Sequence, residues 1–171
     1  MDGVSGKVAL ITGSSRGIGK AIAQKLAHAG ADIAINYRND RGSSRAKAEA
    51  LQVEIKRNNC RSILIQSNIS KKDSVKAMIQ AVSDGLGKLD YLILNAARAP
   101  FKPIEKLFER ELKQLVDTNY LGNIFCIQQA IPLLEQSHGK IIFLSSLGSR
   151  FFNPSYPLGS MKAAMEAVVR D

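Results

Sequence analysis

The chain has 171 residues, of which 45% are hydrophobic, and a formal net charge of +9. This is enough material for one packed core, and no proline-rich, glycine/serine-rich or strongly charged linker divides it, so we expect one domain over residues 1–171. Lysine and arginine are spread along the chain without interleaved aromatic residues, which argues against a nucleic-acid partner, and no apolar stretch approaches the roughly 20 residues of a membrane helix.

Short apolar runs that are typical of buried strands alternate with segments of helical periodicity. Strands are predicted at 7–12, 32–37, 61–66, 90–94 and 140–145, and helices at about 18–29, 43–58, 71–86, 109–134 and 157–171. Helices link the first three strands as right-handed βαβ units, which predicts a parallel sheet covered by helices on both faces. The predicted fold class is therefore α/β, with a doubly wound parallel sheet.

The first strand runs into the glycine-rich segment TGSSRGIG at residues 12–19, which opens the first helix. Gly13 and Gly17 can adopt backbone angles closed to other residues, and Gly19 lets the helix pack closely on the strand. The helix N-terminus presents free N–H groups and partial positive charge, which suit the pyrophosphate of a dinucleotide. The alternative is a tight strand-to-helix turn without a ligand.

The spacing in this segment resembles the TGxxxGxG motif of the short-chain dehydrogenase/reductase superfamily, and the resemblance covers essentially the whole chain. It implies a Rossmann fold with strand order 3-2-1-4-5 and a nicotinamide dinucleotide at the carboxyl ends of the strands. It also implies a homo-oligomer, a tetramer, formed through the predicted helix 109–134 and the final helix. Members usually continue with two more strands, so we expect this chain to be truncated before them.

The residues after the second strand predict the phosphorylated cofactor. Asn36-Tyr37-Arg38 places no acidic residue where an NAD-selective enzyme usually holds the adenosine ribose hydroxyls. Arg16 and Arg38 can instead flank a 2′-phosphate with their planar donors, which predicts NADPH. The alternative is that Arg38 is an ordinary exposed loop residue.

The third and fourth strands end in Asn68-Ile69 and Asn95-Ala96-Ala97, which match imperfectly the Asp-Val and Asn-Ala-Gly that family members carry there. Small alanines leave room for a cofactor, and the asparagines can donate and accept hydrogen bonds. The predicted cofactor-binding residues are Gly13, Ser15, Arg16, Gly17, Ile18, Gly19, Tyr37, Arg38, Asn68, Ile69, Asn95, Ala96, Ala97 and Lys162.

The segment 145–162 resembles the catalytic region of the superfamily and supplies Ser146, Tyr156 and Lys162. In the common ketoreductase form the tyrosine precedes the lysine by four positions, so both lie on one helix face, but here that position holds Leu158. The short-chain enoyl-acyl-carrier-protein reductases place it seven positions before the lysine. The stretch SSLGS, with a tyrosine ten residues after Ser146, resembles that branch most closely.

The spacing of Tyr156 and Lys162 is six positions, which would separate their side chains by roughly 120° on a continuous helix. Pro157 suits the first helical position, so Tyr156 can lie just before the helix and outside its phase. By resemblance, Tyr156 stabilises the substrate oxygen and relays a proton, while Lys162 holds the nicotinamide ribose and lowers the tyrosine pKa. Ser146 is predicted as a second donor or a structural support.

Asn119 lies among the apolar positions of the predicted helix 109–134, where a polar side chain needs partners. The resemblance suggests an active-site asparagine that helps to hold a water beside the catalytic lysine. The alternative is an asparagine that the backbone satisfies at a local helix distortion.

The predicted function is the NADPH-dependent reduction of a small or carrier-bound 2-enoyl thioester in fatty-acid or polyketide synthesis. Two alternatives remain: a 3-oxoacyl or other carbonyl reductase, and a non-catalytic NADP(H)-binding protein. Nothing resembles a signal peptide, and Cys60 and Cys126 form no ligand-like or redox-like pair, so we expect a cytoplasmic protein with reduced thiols. Neither His28 nor His138 has a partner at metal-ligand spacing, so no metal site is predicted.

Overall fold

A computed structural model describes residues 2–39, 42–151, 153–155 and 157–170. The strands are β1 (Val8–Ile11), β2 (Asp32–Tyr37), β3 (Ser62–Gln66), β4 (Tyr91–Leu94) and β5 (Lys140–Phe143). The helices are α1 (Gly17–His28), α2 (Ser44–Lys56), α3 (Lys72–Leu86), α4 (Glu109–Val116), α5 (Gly122–Ser137) and α6 (Leu158–Arg170). Short 3-10 turns cover Asp2–Val4, Ile104–Lys106 and Leu147–Ser149, and a π-helical turn covers Asp117–Leu121.

The five strands form one sheet in the order β3-β2-β1-β4-β5, and every neighbouring pair is parallel. The predicted α/β class and strand order are therefore confirmed. Because the strands are parallel, their carboxyl ends lie at one edge of the sheet, and the strand order reverses beside β1 at that edge.

Two apolar layers cover the faces of the sheet, because successive side chains of a strand point to opposite sides. Leu10 of β1 joins the layer formed with α3 and α5, whereas Ile11 joins the layer formed with α1 and α2. Both side chains are fully buried. This two-sided burial explains why β1 reads as a continuous apolar run instead of an alternating one.

Asp90 fixes the opposite edge of the sheet, where the strands begin. Its carboxylate accepts hydrogen bonds from the Val8 backbone N–H at 2.8 Å and from Lys7 Nζ at 2.9 Å, and Lys88 Nζ lies 3.2 Å away. Burial by itself would raise the pKa of this carboxyl, but these partners outweigh burial and hold the pKa below its usual value. Asp90 therefore joins the starts of β1 and β4.

The predicted helix 109–134 is confirmed as an unbroken helical segment, but a π-helical turn interrupts its regular α-geometry and it ends three residues later, at Ser137. The chain forms α4, then the π-helical turn Asp117–Leu121, and α5 then continues to Ser137. The Asn119 side-chain amide donates to the Leu115 carbonyl at 2.9 Å, so it competes for the acceptor that the Asn119 backbone N–H would use in an α-helix. This competition accounts for the widened turn.

None of the helices within the described ranges combines the length and apolar character that a membrane span needs.

Candidate functional site

The glycine-rich turn after β1 has the backbone that phosphate binding requires. Gly13 and Gly17 adopt left-handed φ values of +67° and +57°. The first turn of α1 contains no acidic residue, and Arg16 at its N-cap makes no side-chain capping bond. The N–H groups at this helix end therefore lack side-chain capping and keep their partial positive charge for an anion.

Gly19 has a packing role behind this turn. A Cβ at this position would lie 2.5 Å from Asn95 Nδ2 and 2.8 Å from the Gly13 carbonyl oxygen. No side chain larger than hydrogen fits between α1 and the end of β4. The close approach that the sequence motif predicts is therefore confirmed at this position.

Asn36 holds the turn in place and was not identified as a site residue from the sequence. Its Oδ1 accepts a hydrogen bond from the Gly13 N–H at 2.9 Å, and its Nδ2 donates to the Ser67 carbonyl at 3.1 Å. Its backbone N–H donates to Ser14 Oγ at 3.1 Å. Asn36 thus joins the ends of β1, β2 and β3; its position as a polar residue ending an apolar run was the available signal.

Thr12 and Asn95 join the same turn to β4. Thr12 Oγ1 accepts hydrogen bonds from the backbone N–H groups of Asn95 and Ala96, both at 3.0 Å. The Asn95 side-chain amide donates to the Thr12 carbonyl at 2.8 Å. These contacts fix the backbone at two adjacent strand ends, those of β1 and β4, before any ligand binds, which is the preorganisation that tight binding needs.

A cavity of about 680 Å³ opens at this edge of the sheet, within the volume range of small-molecule sites. Its lining includes most of the predicted cofactor residues: Gly13, Ser15, Arg16, Gly17, Tyr37, Arg38, Asn68, Ile69, Asn95, Ala96 and Ala97. Three predicted residues, Ile18, Gly19 and Lys162, are not part of its lining. Ile18 is instead exposed, and Gly19 lies behind the turn.

The charge of the cavity lining suits an anionic ligand. Arg16, Arg38 and Arg98 all line the cavity. Glu111 is the single carboxylate among its described lining residues, and Lys102 pairs with it at 2.7 Å. Because this carboxylate is neutralised by its partner, the three guanidinium groups dominate the local field.

The Asn119 side chain fixes one wall of this cavity. Its Oδ1 accepts from the Arg98 N–H at 2.9 Å, and its Nδ2 donates to the Arg98 carbonyl at 2.8 Å. Asn119 is 1% exposed, and its side chain is thus satisfied by backbone groups at a helix distortion, as in the alternative drawn from the sequence. The water-holding role implied by resemblance stays a prediction.

Lys162 lies on α6 and is buried, with 5% of its surface exposed. Its Nζ donates to the Leu144 carbonyl at 2.5 Å and lies 4.6 Å from the centre of the Phe143 ring. Burial lowers the pKa of this ammonium group from its usual value. One of its three donors is used by Leu144, which leaves two for a ligand.

Ser146 Oγ accepts from the Gly148 N–H at 3.2 Å and so caps the short turn Leu147–Ser149. Tyr156 lies outside the described residues. Leu158, at the position of the common ketoreductase tyrosine, is 2% exposed. Within the described ranges, no three His, Cys, Asp or Glu side chains are grouped as a metal site would require.

The family model described as short chain dehydrogenase matches residues 7–171. The 3-oxoacyl-[acyl-carrier-protein] reductase FabG of Staphylococcus aureus is 43% identical over 149 residues, which cover 86% of this chain and 59% of the relative. Hydroxynaphthalene reductase arp2 of Aspergillus fumigatus is 33% identical over 98% of this chain and 60% of the relative.

An experimental structure has a similar fold. The X-ray structure of an alcohol dehydrogenase from Thermococcus sibiricus, complexed with 5-hydroxy-NADP, has a TM-score of 0.88 and 31% identity. The match covers 96% of this chain and 68% of that structure, whereas the chain spans about three fifths of the length of the two curated relatives. With the matched sequence model and the observed sheet order, the chain belongs to the short-chain dehydrogenase family.

Proposed function

We propose that the protein is an NADPH-dependent reductase of acyl thioesters and that its substrate is a 3-oxoacyl group. The observation that carries the proposal is the basic cavity at the carboxyl edge of the sheet, formed around a glycine turn whose helix N–H groups lack side-chain capping and suit an anion. The 43% identity to a 3-oxoacyl-[acyl-carrier-protein] reductase supports this substrate over the enoyl thioester predicted from the segment 145–162.

Different groups of described residues fit different parts of the cofactor. The Gly13–Gly19 turn would hold the pyrophosphate, and Arg16 with Arg38 would hold the 2′-phosphate through charge-assisted hydrogen bonds. Ala96 and Ala97 leave the strand end open for the ribose and base. When bound, NADPH supplies the hydride for the reduction.

The protein contributes the proton and the stabilisation of the substrate oxygen. In our proposal Tyr156 donates its hydroxyl proton to the oxygen on which negative charge develops, and Ser146 provides a second hydrogen bond. The Lys162 ammonium group lies in a low-dielectric environment and favours the ionised tyrosine. Its two donors not used by Leu144 are available to a ribose hydroxyl.

A second candidate is the reduction of a 2-enoyl thioester, and one observation favours it. The position four residues before Lys162 holds the buried, apolar Leu158, so the usual ketoreductase tyrosine is absent from that helix face. Tyr156, which precedes the helix, matches more closely the enoyl-reductase branch that the sequence resembles. The two candidates share the cofactor and differ in the bond that is reduced.

The decisive experiment follows NADPH oxidation by absorbance with acetoacetyl and crotonyl thioesters, each carried on coenzyme A and on an acyl carrier protein. Faster turnover of the acetoacetyl thioester is the expected result. Faster turnover of the crotonyl thioester would assign enoyl reduction. NADPH binding without turnover of either substrate would instead identify a non-catalytic binding protein.

A further inference from the structure

We propose that Glu166 is a positioning residue that holds Ser146 against the helix carrying Lys162. The proposal deepens the proposed function and rests on it for the effect on turnover. Its structural part concerns the segment Ser145–Ser149, here called the serine loop, and can be tested without any substrate.

Two hydroxyl groups on either side of Ser146 converge on one carboxylate oxygen. Ser145 Oγ donates to Glu166 Oε1, and Ser149 Oγ lies 2.7 Å from the same oxygen. Ser149 also contacts the Ser146 carbonyl, through its hydroxyl at 2.8 Å and its backbone N–H at 3.0 Å. Glu166 therefore holds the serine loop through hydrogen bonds to Ser145, immediately before Ser146, and to Ser149, three residues after it.

The helix that carries Glu166 also carries Lys162, four residues earlier and thus on the same face. The backbones of this helix and the serine loop pack closely together. A Cβ at Gly159 would overlap the Gly148 carbonyl. Glu166 adds a directional contact to this non-directional packing. The distance between Ser146 and Lys162 is therefore set by contacts on both sides of the loop.

The hydroxyl of Ser146 itself is left for a ligand. Its oxygen accepts from the Gly148 N–H, and in the described part of the chain its hydrogen has no acceptor. Hydrogen bonds from Ser145 and Ser149 hold the pKa of Glu166 below its usual value, so at neutral pH the carboxylate only accepts. It can therefore hold the neighbouring serines without competing as a donor for the substrate oxygen.

The first test measures amide hydrogen exchange by mass spectrometry in the wild-type protein and in three variants, Glu166→Ala, Glu166→Gln and Glu49→Ala. We expect Glu166→Ala to speed exchange in residues 146–150, because the Gly148 and Ser149 N–H groups bond within the loop. Glu166→Gln keeps one amide oxygen for both hydroxyls and should exchange like the wild type. Glu49 pairs with Arg45 on α2, away from the loop, so its variant is the matched control.

The second test measures turnover with the thioester that the wild-type protein reduces. We expect Glu166→Ala to lower kcat by about tenfold to a hundredfold, the effect of a misplaced catalytic group, with KM for NADPH unchanged. The hydrogen bonds of Glu166 go to Ser145 and Ser149, which are not among the residues proposed to hold NADPH, so the substitution should leave cofactor affinity unchanged. Glu166→Gln should restore most of kcat.

The double variant Ser145→Ala/Ser149→Ala removes the donors and leaves the carboxylate, so it should reproduce the faster loop exchange even if Glu166→Ala does not fold. Unchanged exchange in that double variant, or exchange in Glu166→Gln as fast as in Glu166→Ala, would overturn the proposal. If the wild-type protein reduces no thioester, the proposed function fails, while the exchange measurements still decide the role of Glu166.

Discussion

Leu158 lies four residues, about one helical turn, before Lys162 on α6, and both side chains are buried. An apolar side chain at this position cannot donate a proton to a substrate. The proton donor of the proposed reduction therefore has to come from outside this helix face, and Tyr156, before the start of α6, is the nearest tyrosine in the chain.

Tyr156→Phe tests this assignment directly. We expect kcat to fall by about a hundredfold or more, the usual contribution of a general acid, while the Kd for NADPH is unchanged. Fluorescence titration gives the Kd, and NADPH oxidation gives kcat. The matched control is Tyr91→Phe, since Tyr91 begins β4 at the opposite edge of the sheet. An unaltered kcat in Tyr156→Phe would exclude the tyrosine from the reaction.

Arg38→Ala tests the predicted preference for the phosphorylated cofactor. Removing one charge-assisted hydrogen bond to the 2′-phosphate should weaken NADPH binding about tenfold or more and leave NADH binding nearly unchanged. Isothermal titration with both cofactors measures the ratio of the two affinities. Arg57→Ala, an exposed arginine at the end of α2, serves as the control. Equal weakening of NADPH and NADH binding would show that Arg38 does not select the phosphate.

Gly19→Ala tests the close packing behind the phosphate turn. The added methyl group would meet Asn95 Nδ2 at 2.5 Å and the Gly13 carbonyl at 2.8 Å. We expect the free energy of unfolding to fall by about 1–3 kcal/mol, the usual cost of overpacking, and NADPH binding to weaken as the turn shifts. Denaturant titration measures the first effect. Gly3→Ala is the control, because its Cβ would have no neighbour within 4 Å, and a loss as large as that of Gly19→Ala would contradict this explanation.

Lys162→Met tests the cost of the buried ammonium group. Burial lowers the pKa of Lys162 from its usual value of 10.5, so the unfolded chain binds more protons between the lowered pKa and 10.5. Wild-type stability should therefore rise, relative to that of the variant, as pH rises across this interval. The variant should be the more stable protein below it, although inactive.

The measurement is the free energy of unfolding of both proteins as a function of pH. Lys76→Met, which removes an exposed lysine from α3, gives the comparison without burial. A pH-independent difference between the wild type and Lys162→Met would contradict the assigned cause.

Asp90→Asn tests the anchor at the opposite edge of the sheet. The pKa of Asp90 is held below its usual value of 3.8, so its stabilising contribution is present above that pH and is lost as pH falls through the lowered pKa. The variant should lose about 1.5–3 kcal/mol of stability at neutral pH, the range for hydrogen bonds to a charged group, and should show a weaker acid dependence. Acid unfolding followed by circular dichroism measures both effects. The exposed Asp84, replaced by Asn, is the control, and an equally steep acid transition in Asp90→Asn would reject the anchor.

The interior of the predicted helix 109–134 shows where local pattern stops being sufficient. Its apolar periodicity is helical throughout, but the Asn119 amide bonds Leu115 within the helix and Arg98 in the loop after β4. Arg98 is 21 residues away in sequence, so the apolar periodicity of the helical segment cannot reveal this contact. The π-helical turn therefore combines a local side-chain contact to Leu115 with a tertiary contact to Arg98.

The sequence by itself determined the alternation of strands and helices and the glycine turn, because each depends on short-range patterns of apolar residues and on the conformational freedom of glycine. The strand order came from the resemblance of that turn to a family. Only the tertiary structure decided three sets of hydrogen bonds. Asn36 accepts from Gly13, and Lys162 donates to the Leu144 carbonyl. Glu166 accepts from Ser145 and Ser149. Each of these contacts joins residues at least 17 positions apart, so it forms only when packing of the two apolar layers brings distant polar groups together.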